Sequence, residues 1–457
     1  MGWSASATSA LARLPGDGRR GAAGAGGRSI HAAIALDHGD DGGALLAAQR
    51  ARPADGAPPK PAAPGGDGRP LPIAAPYIPA MRLWTELARS LRRVAWKAGL
   101  IADPTASAAR HVERVLDTRG RELFAQSGVP GLVVSVRFGA GRTISRCLGT
   151  AGAATPLRTD TVFPALSMTK PVTAMCVMAL VERGVLALDA PVWRHVLDYR
   201  IPAHATGGFD PDGITLRGVL SHSSGIRLHG HGWVGAAGLR SPKALLEDES
   251  QEAHTLRVVD PPGRTLRYSG GGYLLAQMAV EGATGRPFAD VARELVLRPL
   301  GMASSDYELS PELAARLATS HDRENRPLPA RRLLATAAAG LYSTAEDLTA
   351  FWGALAPGPE GEPPGRGVIS PDACREMLTP TIVAPDGTTC GIGFYLHRTR
   401  TELRYTHLGY FSGWSHHAVG LLRRRVVVTA LSNGDRGKEC VPPLVHELRR
   451  TLAEKAL

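Results

Sequence analysis

Hydrophobic and polar positions form three successive patterns along the 457-residue chain. Residues 1–76 show neither a helical nor a strand period and are rich in Ala, Gly, Pro and Arg. Such a segment buries too little apolar surface to offset chain entropy, so it predicts a disordered tail. Residues 77–105 predict an amphipathic helical linker, and residues 106–457 predict one continuous domain. The apolar positions of the linker share one helical face: Leu83, Leu87, Leu91 and Val94.

Within the domain, strand patterns lie near both ends and helical patterns lie between them. SAARHVERVLDTRGRELFAQSG predicts a first helix, and GLVVSVRFGAGRTISRCLG predicts two strands around a Gly-Ala-Gly turn. Near the C-terminus, PPLVHELRRTLAEKA predicts a closing helix. Four segments before it predict strands: GIGFYLHR, ELRYTHLG, HHAVGLL and RVVVTALS. This order predicts that the two ends of the domain meet in one sheet.

Composition narrows the class of protein. An apolar content of 44% and a charged content of 21% allow a sizeable core. The net charge is +11, but no dense Lys/Arg tract has interleaved aromatics, so nucleic-acid binding is not expected. The five cysteines are odd in number and lack C-x-x-C spacing, which predicts reduced thiols and a cytoplasmic protein rather than a disulfide framework or zinc site. The sequence has no secretory h-region and no apolar run of membrane-helix length.

The basic linker helix allows two interpretations. It resembles a helix that lies on a membrane surface or contacts a partner. It also fits a helix that docks on the main domain. This arrangement is the commoner one, and it is the interpretation we favour.

The stretch FPALSMTKPVTAMCVMALVERG, residues 163–184, carries the first candidate chemistry. A helix that begins near Leu166 puts Ser167 and Lys170 on one face, and Pro171 then falls in its first turn. The following residues are apolar on all sides, which predicts a buried helix that stops near Gly184. Burial would lower the lysine pKa, so that a neutral amine could take the serine proton. The S-x-x-K spacing alone arises by chance, so it does not separate catalysis from an ordinary helix start.

Seven ordered segments accompany this motif. They are GVPGLVVSV, the segment TDTVFPALSMTKPVTAMCVMALVERGVLALDAPV, ITLRGVLSHSSGI, PPGRTLRYSGGGYLLAQMAVEGATGRPF, VLRPLGM, GLYSTAEDLTAF and HLGYFSGW. The series resembles the serine beta-lactamase-like family, which includes class C beta-lactamases, D-alanyl-D-alanine carboxypeptidases, family VIII esterases and related acyltransferases. The resemblance spans residues 106–457. It implies an α+β fold of the beta-lactamase/transpeptidase type, with an antiparallel sheet, flanking helices and a mainly helical lobe.

The resemblance also implies roles for individual residues. Ser167 matches the acylated nucleophile, and Lys170 matches its proton acceptor. Tyr268 matches a tyrosine that shares the proton transfer, with its phenolate favoured by the lysine charge. His407-Leu408-Gly409 occupies the place of the Lys-Thr-Gly strand, so the backbone N–H groups of Ser167 and Tyr410 would form the oxyanion hole. The site would need neither metal nor cofactor.

Two departures from the family pattern bear on the substrate. Gly270 stands where beta-lactamases have an asparagine, and His407 stands where they have a lysine. A histidine is charged only part of the time near neutrality, so it would hold a substrate carboxylate less firmly. Both changes favour an esterase-like serine hydrolase, acting on an ester, thioester or amide through a covalent acyl-enzyme. Three alternatives stay open: an acyltransferase, a D-amino-acid peptidase, and a catalytically silent ligand-binding or scaffold protein.

Several further residues admit a functional and a structural interpretation. His222 neighbours three serines, Ser221, Ser223 and Ser224, but this segment matches a structural one in the family. His229 and His231 lack a third metal ligand, so a loop is the better interpretation. Trp414 and Tyr410 either line the acyl pocket or pack on the sheet. Gly340 and Tyr342 match a wall near the family's site, whereas Ser343 as cap with Glu346 predicts an ordinary helix start. Adjacent in a strand, His416 and His417 would face opposite sides of the sheet.

Overall fold

The computed structural model describes residues 105–139, 141–228, 234–235, 241–247 and 256–454. The predicted disordered tail, almost all of the predicted linker helix, and His229 and His231 lie outside these residues. The described chain begins with helix α1, Ala106–Val115, which continues through one π-helical turn, Leu116–Gly120, into α2, Arg121–Ser127. Gly128 ends α2 in the left-handed conformation, at φ 62°. The predicted first helix is therefore confirmed.

A nine-stranded antiparallel sheet forms the centre of the domain. The chain crosses it first in β1 (Gly131–Phe138), β2 (Thr143–Gly152) and β3 (Thr155–Pro156). The remaining six strands come from the C-terminal part: β10 (Ile382–Val383), β11 (Thr389–Cys390), β12 (Tyr395–Arg398), β13 (Leu403–Phe411), β14 (Trp414–Leu421) and β15 (Val426–Ser432). Their spatial order is β10-β11-β12-β13-β14-β15-β1-β2-β3. Strand β1 pairs with β15, with Val134 opposite Ala430, so the two ends of the domain do meet in one sheet.

The two faces of the sheet are covered by different layers, because side chains alternate along each strand. On one face, Leu132, Val134 and Val136 pack with α1 and with the closing helix α12, Val441–Glu454. On the other face, Val133 joins a larger cluster that includes the helices of the middle segment. Both layers exclude water from β1 and β15, which explains why these strands read as continuous apolar runs.

The middle of the chain forms the mainly helical lobe and also supplies helical cover for one face of the sheet. Its helices are α3 (Thr169–Glu182), α4 (Leu216–Leu220), α5 (Pro242–Leu246), α6 (Gly270–Thr284), α7 (Phe288–Ala292), α8 (Pro311–Ala314), α9 (Thr336–Ala339), α10 (Ala345–Gly353) and α11 (Pro371–Met377). Short strands accompany them: β4 (Phe163–Pro164), β5 (Ile226–Arg227), β6 (Val234–Gly235), β7 (Arg257–Val258), β8 (Arg332–Leu333) and β9 (Tyr342–Ser343). The α+β fold of beta-lactamase/transpeptidase type is thus the observed one.

Helix α10 begins one residue later than the sequence predicts. Ser343 belongs to β9, and Thr344 caps the helix, because its side chain accepts a hydrogen bond from the backbone N–H of Asp347. The extended backbone of Thr344 (φ −104°, ψ 165°) is the usual cap conformation. The prediction of Ser343 and Glu346 as a capping pair was therefore wrong by one position.

Within the residues described here, no helix combines the length and the apolar character needed to cross a bilayer.

Candidate active site

A tight turn presents Ser167 at the start of α3. Residues Leu166–Met168 form one 3-10 turn that leads directly into the helix. Leu166 has a φ of 54°, a left-handed conformation that costs a non-glycine residue about 1–2 kcal/mol. Backbone hydrogen bonds hold the turn in place, since Ala165 N–H donates to the Leu341 carbonyl (2.7 Å). Strain immediately before a serine hydroxyl indicates a position that the surrounding structure has fixed.

Two side chains converge on the Ser167 hydroxyl oxygen at this turn. The Lys170 Nζ lies 3.1 Å from Ser167 Oγ, and the Tyr268 hydroxyl donates to the same Oγ at 2.6 Å. The Nζ also lies 4.9 Å from the centre of the Tyr268 ring. Ser167 is partly exposed, whereas Lys170 and Tyr268 are buried. The accessible hydroxyl is therefore supported from the protein side by two proton-carrying groups.

Burial sets the protonation state of Lys170. Only 2% of the residue is exposed, and desolvation lowers its pKa to about 7. The Nζ also donates to the carbonyl of Ala338 at 2.9 Å, at the end of α9. Near neutrality a large fraction of the amine is uncharged. One N–H then stays on Ala338 while the lone pair becomes available toward Ser167.

Tyr268 differs from its expected state. Burial raises its pKa well above the usual range, so the hydroxyl stays protonated near neutrality. This environment favours the neutral phenol over the expected phenolate, because burial of the tyrosine itself disfavours its charged form. The His222 ring packs on the tyrosine at a centroid distance of 4.5 Å. His222 has a φ of 60°, and its Nδ1 accepts from Ser269 N–H at 3.2 Å, so this residue positions Tyr268.

The strand edge predicted for the oxyanion hole lies beside the Ser167 turn. Strand β12 pairs with β13 only as far as Thr406, and from His407 to Phe411 the described strand partner is β14 alone. The other edge of β13 here faces the turn. A Cβ at Gly409 would lie 3.0 Å from the Ala165 carbonyl and 3.2 Å from the Leu166 Cβ. Glycine thus permits a close approach that a larger residue would crowd, and the backbones of Ser167 and Tyr410 stay neighbouring candidates for oxyanion donors.

His407 is buried and uncharged in this environment. Desolvation lowers its pKa to about 3, and the nearby Lys170 acts in the same direction. Its Nδ1 lies 2.8 Å from the Leu408 carbonyl, and since a carbonyl only accepts, the neutral ring carries its proton on Nδ1. Gly270 opens α6 directly after Ser269, whose side chain caps the helix by accepting from Gly272 N–H. His407 therefore supplies no positive charge to the site, and Gly270 supplies no side-chain amide.

A family model described as Beta-lactamase matches residues 108–449, which is more than half of the chain. This chain belongs to the beta-lactamase family. Esterase EstB from Burkholderia gladioli is 36% identical over 183 residues, which is 38% of this chain and 46% of the esterase. The D-alanyl-D-alanine-carboxypeptidase/endopeptidase AmpH of Escherichia coli is 27% identical, over 51% of this chain and 59% of the relative. The matches span about half the length of these curated relatives.

Three solved structures share the fold of this chain. The octameric penicillin-binding protein homologue from Pyrococcus abyssi has a TM-score of 0.62 at 23% identity, covering 74% of this chain and 77% of its own. The D-amino acid amidase from Ochrobactrum anthropi has a TM-score of 0.60 at 21% identity, covering 77% of this chain and 98% of its own. EstCE1, described as a hydrolase with promiscuous acyltransferase activity, has a TM-score of 0.61 at 19% identity, over 76% and 98%. These likenesses show that the chain shares the fold of the three proteins.

Other predicted residues of this beta-lactamase-family domain lie around the site rather than in it. Trp414 is 8% exposed and packs edge-on against Phe163 at 5.9 Å, which favours the packing interpretation. The Tyr410 ring packs against the cluster that contains Tyr268 and Leu408, and Lys438 Nζ lies 5.3 Å from the centre of this ring. His416 Nε2 contacts the Pro164 carbonyl (3.1 Å), whereas His417 Nε2 contacts Thr406 Oγ1 (3.0 Å), so the two rings do serve different partners.

Sequence reasoning missed two contributors to the site. The Ala338 carbonyl holds Lys170 across 168 positions, and no local pattern announces such a contact. The His222 segment was interpreted as structural, but no local pattern indicated that the His222 ring packs on Tyr268. Of the predicted wall, Gly340 ends α9 next to Ala338, and Tyr342 lies in β9.

Within the described part of the chain, no group of three or more His, Cys, Asp or Glu side chains could hold a metal ion.

Proposed function

We propose that this protein is an esterase-like serine hydrolase that works through a covalent acyl-enzyme on Ser167. The observation that supports it most is the convergence of Lys170 Nζ and the Tyr268 hydroxyl on Ser167 Oγ, at 3.1 Å and 2.6 Å. A serine becomes a nucleophile when an adjacent base accepts its proton. With a pKa of about 7, Lys170 is such a base near neutrality.

In the acylation step, the Ser167 Oγ attacks the substrate carbonyl carbon while Lys170 takes the hydroxyl proton. The new C–O bond converts the carbonyl into an oxyanion, which the N–H groups of Ser167 and Tyr410 would stabilise. The bond to the leaving alcohol then breaks. The alkoxide takes a proton from Tyr268, which is replenished by the Lys170 ammonium, so the proton count balances.

In the deacylation step, a water molecule replaces the alcohol. Its proton passes to the same Lys170–Tyr268 pair, its oxygen bonds to the acyl carbon, and the Ser167 ester bond breaks. Ser167 regains its proton and the carboxylic acid leaves. The same residues thus act as base in one direction and acid in the other.

The substrate class follows from the charge of the site. His407 is neutral at physiological pH, so it offers no cation for the carboxylate of a beta-lactam. Gly270 offers no side-chain amide for the beta-lactam to contact. An uncharged ester needs neither a cation at His407 nor a side-chain amide at Gly270. The esterase relative at 36% identity supports this choice.

A labelling experiment tests the nucleophile. The full-length protein is treated with a fluorophosphonate probe, digested and mapped by mass spectrometry, and p-nitrophenyl ester hydrolysis is measured in parallel. We expect the label on Ser167, and we expect Ser167→Ala to lose both the label and at least about 10³-fold of the activity, since the nucleophile carries the reaction.

Ser224→Ala is the matched control, because Ser224 is a buried serine that lies beside His222 without belonging to the cluster on Ser167. It should keep both the label and the activity. Label on another serine, or full hydrolysis by Ser167→Ala, would exclude the proposed mechanism. Stable acylation without turnover would instead favour the ligand-binding alternative.

A further inference from the structure

A cavity lies at the end of β13 that is remote from Ser167. It has a volume of about 680 Å³ and is formed by the β12–β13 loop, the turn that follows β14, helix α11 and the segment after α10. Leu403, at its edge, is seven residues along β13 from Tyr410, which corresponds to roughly 23 Å of strand. The cavity is therefore separate from the Ser167 site, and its size is that of a typical small-molecule site.

The floor and the rim of this cavity differ in chemistry. Its wall contains apolar side chains, among them Leu378, Leu403 and Leu422. Four arginines and one acid also line it: Arg375, Arg398, Arg400, Arg423 and Glu402. We call this cavity the arginine-rimmed groove. Four positive charges less one negative charge leave it at +3.

The Glu402 carboxylate does not neutralise the arginines that line the groove, because its oxygens already have other partners. Glu402 is 7% exposed and ion-pairs with Arg424 at 3.1 Å. Its oxygens also accept from the backbone N–H groups of Leu403 (3.0 Å) and Arg423 (2.7 Å). These bonds tie the β12–β13 loop to the turn after β14 and fix one wall of the groove. Arg424 itself turns away, since its Nε donates to the Leu452 carbonyl (2.9 Å).

Three rim arginines keep their charge available. Arg398, Arg400 and Arg423 are exposed, and within the described ranges none of them has an acidic side chain as partner. Arg375 is different, because Asp372 pairs with it at 2.8 Å. A guanidinium is planar, always charged and suited to bidentate bonds with a carboxylate or phosphate. Three of them around an apolar floor form a receptor for a molecule with one anionic end and one apolar end.

We propose that the arginine-rimmed groove binds a small amphipathic anion, with an apolar body on the leucine floor and a carboxylate or phosphate head at Arg398, Arg400 and Arg423. Residues 1–105 of this chain do not suit the groove, because they carry 13 basic and 8 acidic side chains and are themselves positive. The proposal needs no chemistry at Ser167 and stands or falls independently of the hydrolase mechanism.

Calorimetric titration of the full-length protein tests the proposal. The probes are dodecanoate and dodecyl phosphate below their micellar concentrations, with inorganic phosphate and dodecyltrimethylammonium for comparison. We expect both amphipathic anions to bind, with a Kd that rises as salt is added because the head contacts exposed charges. The two comparison ligands should bind at least about tenfold more weakly, since each lacks one of the two contacts.

Variants locate the binding. A triple change of Arg398, Arg400 and Arg423 to Gln should weaken dodecanoate about tenfold or more. The control changes Arg110, Arg298 and Arg331 to Gln, which removes the same three charges from exposed positions elsewhere. It should keep the parent Kd. Both triple variants alter surface residues, so thermal unfolding should match the parent within a few degrees.

Equal Kd values for the two triple variants would overturn the proposal, and would place the anion elsewhere, such as in the Ser167 cleft. Inorganic phosphate binding as tightly as dodecyl phosphate would overturn it as well, because the apolar floor would then contribute nothing. Dodecyltrimethylammonium binding as tightly as dodecanoate would show that the guanidinium groups do not select the head.

Discussion

The two ends of strand β13 use cationic side chains in opposite ways. At one end, Lys170 lies buried beside His407, and desolvation lowers its pKa to about 7. At the other end, Arg398, Arg400 and Arg423 lie exposed around the arginine-rimmed groove and keep their charge. The difference is one of solvent and of residue type together, because an ammonium gives up its proton when buried and a guanidinium does not.

This contrast separates chemistry from binding. In the proposed mechanism Lys170 must be able to become neutral, and a buried position whose surroundings add no fixed positive charge favours that state. A receptor for anions must stay charged at every pH of interest, so the groove uses arginine in contact with water. Of the two arrangements, only the one at Ser167 costs the protein stability, because it holds an ionisable amine in an apolar core.

The largest expected effect is at Lys170. Lys170→Met should reduce ester hydrolysis by about 10³-fold or more, because the serine loses its base. The same change should stabilise the protein by on the order of 1–3 kcal/mol near pH 6, since it removes the cost of a buried amine. The folded-state pKa is lowered, so that cost is fully present below about pH 7 and disappears as pH rises toward 10.5. The stability gain should shrink accordingly between pH 7 and 10.

Thermal unfolding across that pH range, with initial rates at pH 8, measures both effects. The control is Lys243→Met, an exposed lysine on α5 that should change stability by less than about 0.5 kcal/mol and leave activity intact. A Lys170→Met variant that is less stable than the parent at pH 6 would contradict the idea that this amine is held at a cost.

The sequence predicted those parts of the fold and site that rest on local patterns. Strand-like apolar patterns located β1, β2 and β13–β15. The apolar run after Pro171 predicted the burial of α3, where Thr169 through Leu180 are all buried. Strands at both ends of the domain predicted that the ends meet in one sheet, and the structure joins them by pairing β1 with β15. The meeting of Ser167, Lys170 and Tyr268 followed from the family resemblance, because 101 positions separate the two hydroxyls.

What the sequence could not predict depends on contacts between distant segments. The left-handed Leu166 has no residue signal, since glycine or asparagine is the usual occupant of that conformation. The raised pKa of Tyr268 results from burial by strands and loops that arrive from elsewhere in the chain. The groove required the β12–β13 loop and the turn after β14 to meet through Glu402, and single-sequence patterns contain no such pairing.

A smaller effect should come from Gly409, which tests whether the catalytic end of β13 depends on close approach. In Gly409→Ala, the new methyl group would meet the Ala165 carbonyl at 3.0 Å, the Leu166 Cβ at 3.2 Å and the His416 Cβ at 3.3 Å. The strand and the turn must separate by a few tenths of an ångström, which moves Ser167 relative to Tyr410. We expect kcat to fall about tenfold, with a smaller change in KM, because the loss falls on oxyanion stabilisation.

Gly120→Ala is the comparison for that change, since a Cβ there meets its neighbours no closer than 3.6 Å within the N-terminal helix. It should leave kcat unchanged, and helix propensity favours alanine at such a position. If Gly409→Ala retained full kcat, the packing of β13 on the turn would not set the geometry of the site. Dodecanoate binding to Gly409→Ala should match the parent in either case, because the groove lies at the other end of the strand.

The smallest expected effect separates the two ends by pH and by salt. With a pKa of about 7, the neutral fraction of Lys170 rises from about 0.24 at pH 6.5 to about 0.9 at pH 8, so kcat/KM should rise about fourfold. His407, with a pKa of about 3, and Tyr268, with a raised pKa, hold their protons unchanged across this interval. Added salt should leave the pH 8 rate within about twofold, because a buried amine is poorly screened, while it weakens anion binding at the exposed arginines. Initial rates with an uncharged p-nitrophenyl ester between pH 6 and 9, at low and high salt, measure both dependences. A rate that followed salt as strongly as groove binding does would mean that exposed charge, rather than the desolvated lysine, controls the reaction.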